Sequence, residues 1–153
     1  MKYSKALIKT KKETPRGAHS VNQALLERGS YISQVGSGIF AYLPLGWKVY
    51  GKVVQIIREE LDKIGCQEVS LPVLHPAELW KISGRFNEIG EELFRVNTQK
   101  EAEFVLAMTH EEVITPLAKE KIQSVTDLPF ILNQFSRKIR NETRPRGGLI
   151  RLR

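Results

Sequence analysis

Residues 137–153 read Arg-Lys-Ile-Arg-Asn-Glu-Thr-Arg-Pro-Arg-Gly-Gly-Leu-Ile-Arg-Leu-Arg, and they carry six of the seven net positive charges of the chain. Leading into this stretch, the even positions of 134–142 are polar, whereas Phe135 and Ile139 are apolar. Side chains alternate between the two faces of a β-strand. The pattern therefore predicts a strand over 130–142 with one polar face, a turn at 143–148 and a returning strand from 149. Such localised positive charge indicates an anionic partner.

Length and composition indicate one ordinary domain. The chain has 153 residues, of which 41% are hydrophobic and 27% charged, values typical of a globular protein with a real core. Its single cysteine, Cys66, excludes an internal disulfide and suits the reducing cytoplasm. Three separated histidines show no metal-ligand spacing, and no run is long enough for a signal peptide or a membrane span. The sequence pI near 9.6 permits nucleotide, phosphate or nucleic-acid partners.

Apolar periodicity and chain breakers predict the secondary structure. After a Lys-rich lead-in at 1–18, apolar residues recur at helical or alternating spacing between glycines and prolines. Helices are predicted at 20–28, 46–64, 76 to about 84, and 110 to about 122. Strands are predicted at 39–44, 66–74, 93–96 and 104–107, besides the two strands above, with a polar loop at 97–103. Strands that are neighbours in sequence favour a mostly antiparallel sheet flanked by helices, which is an α+β fold.

Two prolines interrupt this pattern. Pro72 lies inside the predicted strand 66–74, and because a proline cannot donate to a strand ladder we expect it at a sheet edge, a bulge or a subunit boundary. Pro116 lies inside the predicted helix 110–122, which it should kink or limit to one turn in its first part. The sequence contains no Gly-x-Gly-x-x-Gly or Walker loop, so an ATP site here would use another geometry.

The predicted hairpin holds residues that can bind a nucleotide. Arg140 and Glu142 share the polar face of its first strand. A guanidinium can clamp a phosphate or carboxylate, and a carboxylate can accept hydrogen bonds from an exocyclic amine such as that of adenine. The other arginines are expected at the tip of the turn, Arg144 and Arg146, and on one face of the second strand, Arg151 and Arg153. The alternative is an Arg/Glu cross-strand pair on a solvated sheet.

A second candidate site is the segment Thr109-His110-Glu111-Glu112. Its Thr-x-x-Glu spacing is that of a helix capping box, in which Thr109 and Glu112 cap the helix, and this alternative assigns the segment no ligand. A threonine hydroxyl and a carboxylate at the start of a helix can also hold the ammonium group of an amino acid. Because Glu112 would serve the cap, Glu111 is left for a ligand, and the two roles are compatible.

Several stretches together resemble the class II aminoacyl-tRNA synthetases. The segment 46–72, a long helix and a strand with a proline, resembles motif 1 of that class, and 139–142 with 151–153 resembles motif 2. Further stretches are similar to prolyl-tRNA synthetases of the bacterial type: 71–80, Ser83-Gly84-Arg85, 109–115 and Arg144-Pro145-Arg146-Gly147. The resemblance implies a lead-in at 1–18 and part of a catalytic domain at 19–153, with motif 1 at about 46–74 and motif 2 at about 130–153.

This resemblance implies an ATP-dependent proline–tRNA ligase, which joins L-proline to tRNA(Pro) through a prolyl-adenylate. It implies that Arg140 is the catalytic residue, which holds the α-phosphate of ATP and the carboxylate of proline. Glu142 corresponds to the acid that reads the adenine amino group, and Arg151 lies close to ATP. Thr109 and Glu111 correspond to the loop that binds the ring nitrogen of proline.

The same resemblance implies macromolecular partners and further parts. Arg144 and Arg146 correspond to contacts with the tRNA acceptor stem, and Pro72 to the interface of a homodimer. The Gly147-Gly148 pair should make the motif 2 loop looser than usual. Motif 3, the ligands of the Mg²⁺ that accompanies ATP, and the editing and anticodon-binding domains would lie beyond Arg153, so little or no aminoacylation is expected of this chain alone. The alternatives are a non-catalytic fragment that binds RNA or a synthetase partner, and a truncated product without function.

Overall fold

Five α-helices and seven β-strands form in the described part of the chain, residues 2–18, 20–98 and 102–153 of a computed structural model. The helices are α1 (Val21–Arg28), α2 (Pro44–Lys63), α3 (Ala77–Ile82), α4 (Arg85–Glu88) and α5 (Glu111–Lys121). The strands are β1 (Ile32–Gly36), β2 (Ile39–Tyr42), β3 (Cys66–Glu68), β4 (Leu74–Pro76), β5 (Arg95–Asn97), β6 (Glu103–Leu106) and β7 (Ile131–Asn133). The chain divides into unit 1, Met1–Arg58 with Glu142–Arg153, and unit 2, Glu59–Asn141.

After the lead-in, unit 1 contains a capped helix and a β-hairpin. Ser20 caps α1, because its hydroxyl accepts a hydrogen bond from the N–H of Gln23 at 3.4 Å. Strands β1 and β2 pair antiparallel; β2 is predicted by the sequence, whereas β1 lacks apolar alternation and is not. In the first turn of α2, a Cβ on Gly46 would lie 2.1 Å from the carbonyl oxygen of Tyr31, so only glycine permits this close approach.

Helix α2 is the longest element, and many of its apolar side chains are exposed. It begins two residues before the predicted start and ends at Lys63, after which Gly65, with a φ of +72°, stops it. Six of its large apolar side chains are 39–62% exposed: Trp47, Val49, Tyr50, Val53, Ile56 and Ile57. The helical periodicity is confirmed, and an apolar surface of this extent is typical of an interaction site. Neither α2 nor any other helix in the described ranges is long and apolar enough to cross a membrane.

The core of unit 2 is built on the antiparallel sheet β4–β6–β5. The predicted hairpin of 93–96 and 104–107 is confirmed as β5–β6, and its predicted polar loop, 97–103, lies partly outside the described residues. Trp80 of α3 is fully buried and donates from Nε1 to Nδ1 of His75 at 3.2 Å. The Trp80 ring belongs to a buried apolar cluster whose members are Ala77, Trp80, Phe86, Leu93, Val105 and Met108.

The single strand predicted over 66–74 is wrong in its middle. β3 ends at Glu68 and β4 begins at Leu74, with Pro72 between them. Because a proline has no N–H for a ladder, the chain changes partners there: β3 pairs with β7 in parallel, and β4 pairs with β6 antiparallel. Three of the four strand pairings among the described residues are antiparallel, and the predicted α+β class is confirmed.

The strand predicted over 130–142 is correct only for the three residues of β7. Residues 134–141 form no ladder, and two of their backbone donors bind single carbonyls elsewhere in unit 2. The N–H of Ile139 donates to the carbonyl of Ala107 at 2.8 Å, and the N–H of Asn141 to that of Glu92 at 2.9 Å. This stretch is therefore tied to unit 2 at alternate residues without being a strand.

The predicted returning strand from 149 is also wrong. The chain forms a turn at 147–150, and an isolated antiparallel bridge joins Arg146 to Arg151 at its base. Gly147 and Gly148 both have positive φ, +71° and +63°, which glycine alone adopts at little cost and which tightens the turn.

Helix α5 runs unbroken through Pro116. The expectation that Pro116 limits the first part of this helix to one turn is therefore wrong. The missing N–H of a proline forfeits one hydrogen bond of the helix, and the remaining hydrogen bonds of α5 outweigh that loss.

Replacing Trp80 by Phe should lower the free energy of unfolding by about 2–4 kcal/mol, because it opens a cavity and leaves His75 Nδ1 without its donor. Urea unfolding followed by circular dichroism measures the change. Trp47→Phe is the matched control, because Trp47 is 54% exposed, and its effect should stay within about 0.5 kcal/mol. Equal losses in the two variants would contradict the core position of Trp80.

Candidate functional site

Residues 109–112, which lead into α5 and form its first two positions, alternate between accessible and buried side chains. His110 and Glu112 are buried at 0% and 7% exposure, whereas Thr109 is half-buried and Glu111 is exposed. The buried pair is held by unit 2, and the accessible pair remains open to a ligand. The structure thus separates the residues that support this segment from those predicted to bind.

Glu112 is held by an ion pair that the sequence does not reveal. Its Oε1 accepts from Nη1 of Arg85 at 2.7 Å, and its Oε2 accepts from the hydroxyl of Thr109 at 3.3 Å. Ser83 adds a longer contact to Oε1 at 3.5 Å. The predicted capping box is therefore wrong: α5 starts at Glu111, its N-cap His110 makes no side-chain cap bond, and the carboxylate of Glu112 is turned to Arg85.

Glu111 is the accessible carboxylate of the segment, and its surroundings favour the charged form. The hydroxyl of Thr109 hydrogen-bonds to it and is the main cause that lowers the pKa of Glu111; Arg85 and Lys138 lower it further. The hydroxyl of Thr109 thus donates to Oε2 of Glu112 at 3.3 Å and also lowers the pKa of Glu111. Glu111 is ionised at neutral pH and can accept hydrogen bonds from a cationic donor.

Arg140 lies beside this segment within unit 2. Its Nε and Nη2 both lie 3.4 Å from the carbonyl oxygen of Met108, the residue before Thr109. Burial lowers the pKa of Lys138, and Glu111 opposes that shift by favouring the charged form. The structure thus brings Thr109, Glu111 and Arg140 together, and it adds Lys138, which the sequence does not single out.

Glu142 and Arg151 form a pair in unit 1. Glu142 is buried; its Oε2 accepts from Nε of Arg151 at 2.6 Å, and its Oε1 accepts from the backbone N–H of Arg144 at 3.0 Å. The Arg144 N–H and the Arg151 guanidinium, in that order, lower the pKa of Glu142. The Arg/Glu pairing considered as an alternative is therefore present. Each carboxylate oxygen has a second lone pair, so the pair leaves acceptor capacity for a ligand.

The turn after Glu142 is held by α1. The carbonyl of Gly147 accepts from Nδ2 of Asn22 at 3.2 Å, and a Cβ on Gly148 would meet side-chain atoms of Asn22 and Gln23 at 3.1 Å. Arg146 lies in the bridge at the base of the turn instead of at its tip, and Arg144 precedes it; both side chains are exposed. The expectation of a looser loop is thus opposed by close packing at both glycines.

A pair of histidines joins Pro72 to the candidate segment. His75 and His110 are both fully buried. Nε2 of His75 lies 2.9 Å from the carbonyl oxygen of Pro72, and Nε2 of His110 lies 3.1 Å from the same oxygen. A carbonyl only accepts, so both imidazoles carry their proton on Nε2. Nδ1 of His75 accepts from Trp80, which fits this neutral tautomer. Sequence reasoning missed the role of both histidines because 35 positions of chain separate them.

The histidines and acidic residues of the described chain do not form a metal site. Among the described residues, no group of three or more His, Cys, Asp or Glu side chains could hold a metal ion. His19, one of the three histidines considered in the sequence, lies outside the described residues.

Known proteins resemble the chain over its whole length. No protein-family model matches it. It is 44% identical over 153 residues to the proline–tRNA ligase of Thermodesulfovibrio yellowstonii, of which it spans 27%. The prolyl-tRNA synthetase of Giardia lamblia in complex with prolyl-adenylate has a TM-score of 0.76 and 23% identity, over 85% of this chain and 28% of that one. The Cryptosporidium parvum enzyme with halofuginone and AMPPNP has a TM-score of 0.74 and 18% identity, over 85% and 27%.

The fold is that of the catalytic domain of class II aminoacyl-tRNA synthetases. Within that class, the chain is similar over its full length to part of the proline–tRNA ligases, and the predicted resemblance is confirmed. The chain spans about a quarter of the length of the curated relatives it matches.

The free energy of unfolding should decrease as the pH falls from 7.5 to 5.5. Burial lowers the pKa of His75 and of His110 below 6.5, so below about 6.5 the unfolded chain takes up protons that the folded chain does not. The lowered pKa values of Glu111 and Glu142 act only below about 4.5. Urea midpoints at both pH values measure the effect.

His75→Gln and His110→Gln should each reduce this pH dependence, since each removes one neutral buried imidazole. A midpoint that is independent of pH in the unmodified chain would contradict the neutral histidine pair. An unchanged dependence in both variants would contradict it as well.

Proposed function

We propose that this chain is part of an ATP-dependent proline–tRNA ligase and supplies the residues that bind proline and part of the ATP site. The observation that carries the proposal is that Arg140 binds the carbonyl of Met108, the residue before Thr109, while the hydroxyl of Thr109 interacts with the accessible carboxylate of Glu111. Two oxygen acceptors and a guanidinium match the ammonium and the carboxylate of an amino acid. The Giardia lamblia relative was solved with prolyl-adenylate, which supports this class of ligand.

In the proposed reaction, the proline carboxylate attacks the α-phosphate of Mg-ATP, which forms prolyl-adenylate and releases pyrophosphate. The terminal ribose hydroxyl of tRNA(Pro) then takes the prolyl group and releases AMP. Thr109 and Glu111 hold the ring nitrogen of proline. Arg140 binds the carboxylate and the α-phosphate, and it stabilises the charge that develops at phosphorus. Catalysis consists of positioning and electrostatic stabilisation, without a protein nucleophile.

The adenine and the phosphates of ATP are assigned to Glu142 and Arg151. Glu142 accepts from the adenine amino group through its remaining lone pairs, while Arg151 keeps the carboxylate charged and oriented at 2.6 Å. Arg151 binds Glu142 through Nε, and the side chain of Arg151 is 47% exposed. Its terminal nitrogens are therefore available to a phosphate.

Arg144 and Arg146 are proposed to contact the acceptor stem of tRNA. Both side chains are exposed, and the Arg146–Arg151 bridge holds their backbone. The exposed basic turn also favours the second candidate function, a non-catalytic fragment that binds RNA. Salt-sensitive RNA binding that is lost in Arg144→Ala/Arg146→Ala, without proline binding by the unmodified chain, would favour that candidate.

The protein is proposed to work as a cytoplasmic homodimer. The exposed apolar side chains of α2 support self-association. Pro72, which is also exposed, is assigned to a dimer interface by the family resemblance. Val53→Asp should reduce self-association at micromolar concentration, measured by sedimentation velocity, because it places a charge in the apolar face. Lys48→Asp, at an exposed position of the same helix that points away from Val53, is the control. Sedimentation of the unmodified chain only as a monomer would contradict the proposal.

L-Proline should bind the chain in isothermal titration calorimetry, and the affinity should fall at least about tenfold in Arg140→Ala and in Glu111→Gln. Each change removes a charge-assisted hydrogen bond worth about 1.5–3 kcal/mol. Glu88→Gln, a change of the same kind at an exposed position of α4, should leave the affinity unchanged.

Because the chain spans about a quarter of its relatives, proline-dependent exchange of pyrophosphate into ATP is expected to be weak or absent. Absence of proline binding would contradict the assignment of Thr109, Glu111 and Arg140. Exchange well above the Arg140→Ala level would contradict only the expectation that the chain alone is inactive.

A further inference from the structure

Arg85 and Glu112 form a rigid pair that none of the roles above uses. The carboxylate of Glu112 is 2% exposed and lies 2.7 Å from Nη1 of Arg85. The guanidinium of Arg85 also lies over the ring of Trp80, with Cζ 5.3 Å from the ring centroid. Gly84, with a φ of +79°, directs the chain into α4, where Arg85 is the first residue. Core packing on one side and an ion pair on the other therefore fix this arginine.

The pair reaches Thr109 through its hydroxyl. A hydroxyl has one hydrogen to donate and two lone pairs to accept with. The hydrogen bond from Thr109 to Oε2 of Glu112 uses the hydrogen, so the oxygen faces a ligand as an acceptor. Nη1 of Arg85 lies 3.5 Å from the same oxygen, at the limit of a hydrogen bond, and leaves a lone pair free. The orientation of this one hydroxyl thus depends on Glu112.

Glu111 is the second acceptor of the segment. It competes with Glu112 for the proton of Thr109, because the hydroxyl donates to Oε2 of Glu112 at 3.3 Å and is also the main cause of the lowered pKa of Glu111. When Glu112 takes the proton, Glu111 keeps its lone pairs for a ligand. The segment then offers two acceptor groups, the oxygen of Thr109 and the carboxylate of Glu111.

We propose that Arg85 and Glu112 are positioning residues that set Thr109 as an acceptor, so that Thr109 and Glu111 together select a secondary ammonium with two N–H donors. The proposal rests on the proposed function and deepens it, because proline is the amino acid whose nitrogen carries two hydrogens in its cationic form. A primary ammonium brings a third N–H. That donor loses water on binding without gaining a partner from this pair, and an unmade hydrogen bond is costly.

A double-mutant cycle read by carbon-detected NMR of the Glu111 side chain tests the orientation without any ligand. Thr109→Val should raise the pKa of Glu111, because it removes the hydroxyl. Glu112→Gln should lower the pKa of Glu111 below its value in the unmodified chain, because a neutral amide is a weaker acceptor and the hydroxyl turns to Glu111. In the Thr109→Val background, Glu112→Gln should have a much smaller effect, which reports only the lost charge. Equal effects in both backgrounds would overturn the proposal.

Selectivity is measured by titrating L-proline and L-alanine into the same variants. Glu112→Gln and Arg85→Ala should reduce the preference for L-proline over L-alanine by about tenfold, and Arg85→Lys, which keeps the charge, should retain part of it. Unchanged preference in Glu112→Gln would overturn the inference. If the unmodified chain binds neither amino acid, the proposed function fails, and the NMR cycle still decides whether Glu112 controls the hydroxyl.

Discussion

The carbonyl oxygen of Pro72 accepts hydrogen bonds from two buried imidazoles, those of His75 and His110, and the candidate proline site depends on this contact. His75 belongs to β4, whereas His110 lies just before α5, so the shared acceptor ties two distant parts of unit 2 to one point. The N–H of Ala107 adds a bond to the carbonyl of Val73 at 2.8 Å. Both ring nitrogens of His75 have partners, whereas Nδ1 of His110 is buried without one. A protonated imidazole would in addition carry a charge into the core without a counter-charge, so the neutral form is favoured.

Within residues 109–112, the side chains that hold the segment in place differ from the side chains that are proposed to bind a ligand. His110 and Glu112 face the interior and are held by Pro72 and Arg85, while Thr109 and Glu111 stay accessible. Such a division is effective because a ligand-binding group keeps its geometry only when its neighbours are fixed by packing and hydrogen bonds. The buried ion pair of Glu112 matters in this sense for geometry more than for net stability, since desolvation offsets much of its Coulomb energy.

The basic stretch that ends the chain combines a structural pair with residues assigned to ligands. Glu142 is already bound to Arg151 and to the backbone of Arg144, so its charge is balanced without a ligand. The guanidinium of Arg140, in contrast, donates to the carbonyl oxygen of Met108 at 3.4 Å, an acceptor that carries no net charge. The two residues that looked equivalent on one predicted strand thus have different surroundings.

By itself, the sequence determined helices α1, α2, α3 and α5, the β5–β6 hairpin and the α+β class, because these follow from local periodicity and turn residues. Its short motifs predicted the candidate binding residues. Only the tertiary structure decided that Pro72 separates two strands, that 134–141 forms no ladder, and that Glu112 turns to Arg85 instead of capping α5. The physical reason is the same in each case. Whether a donor joins a ladder, a cap or an ion pair depends on partners that are distant in the chain. Local pattern does not encode where such partners lie.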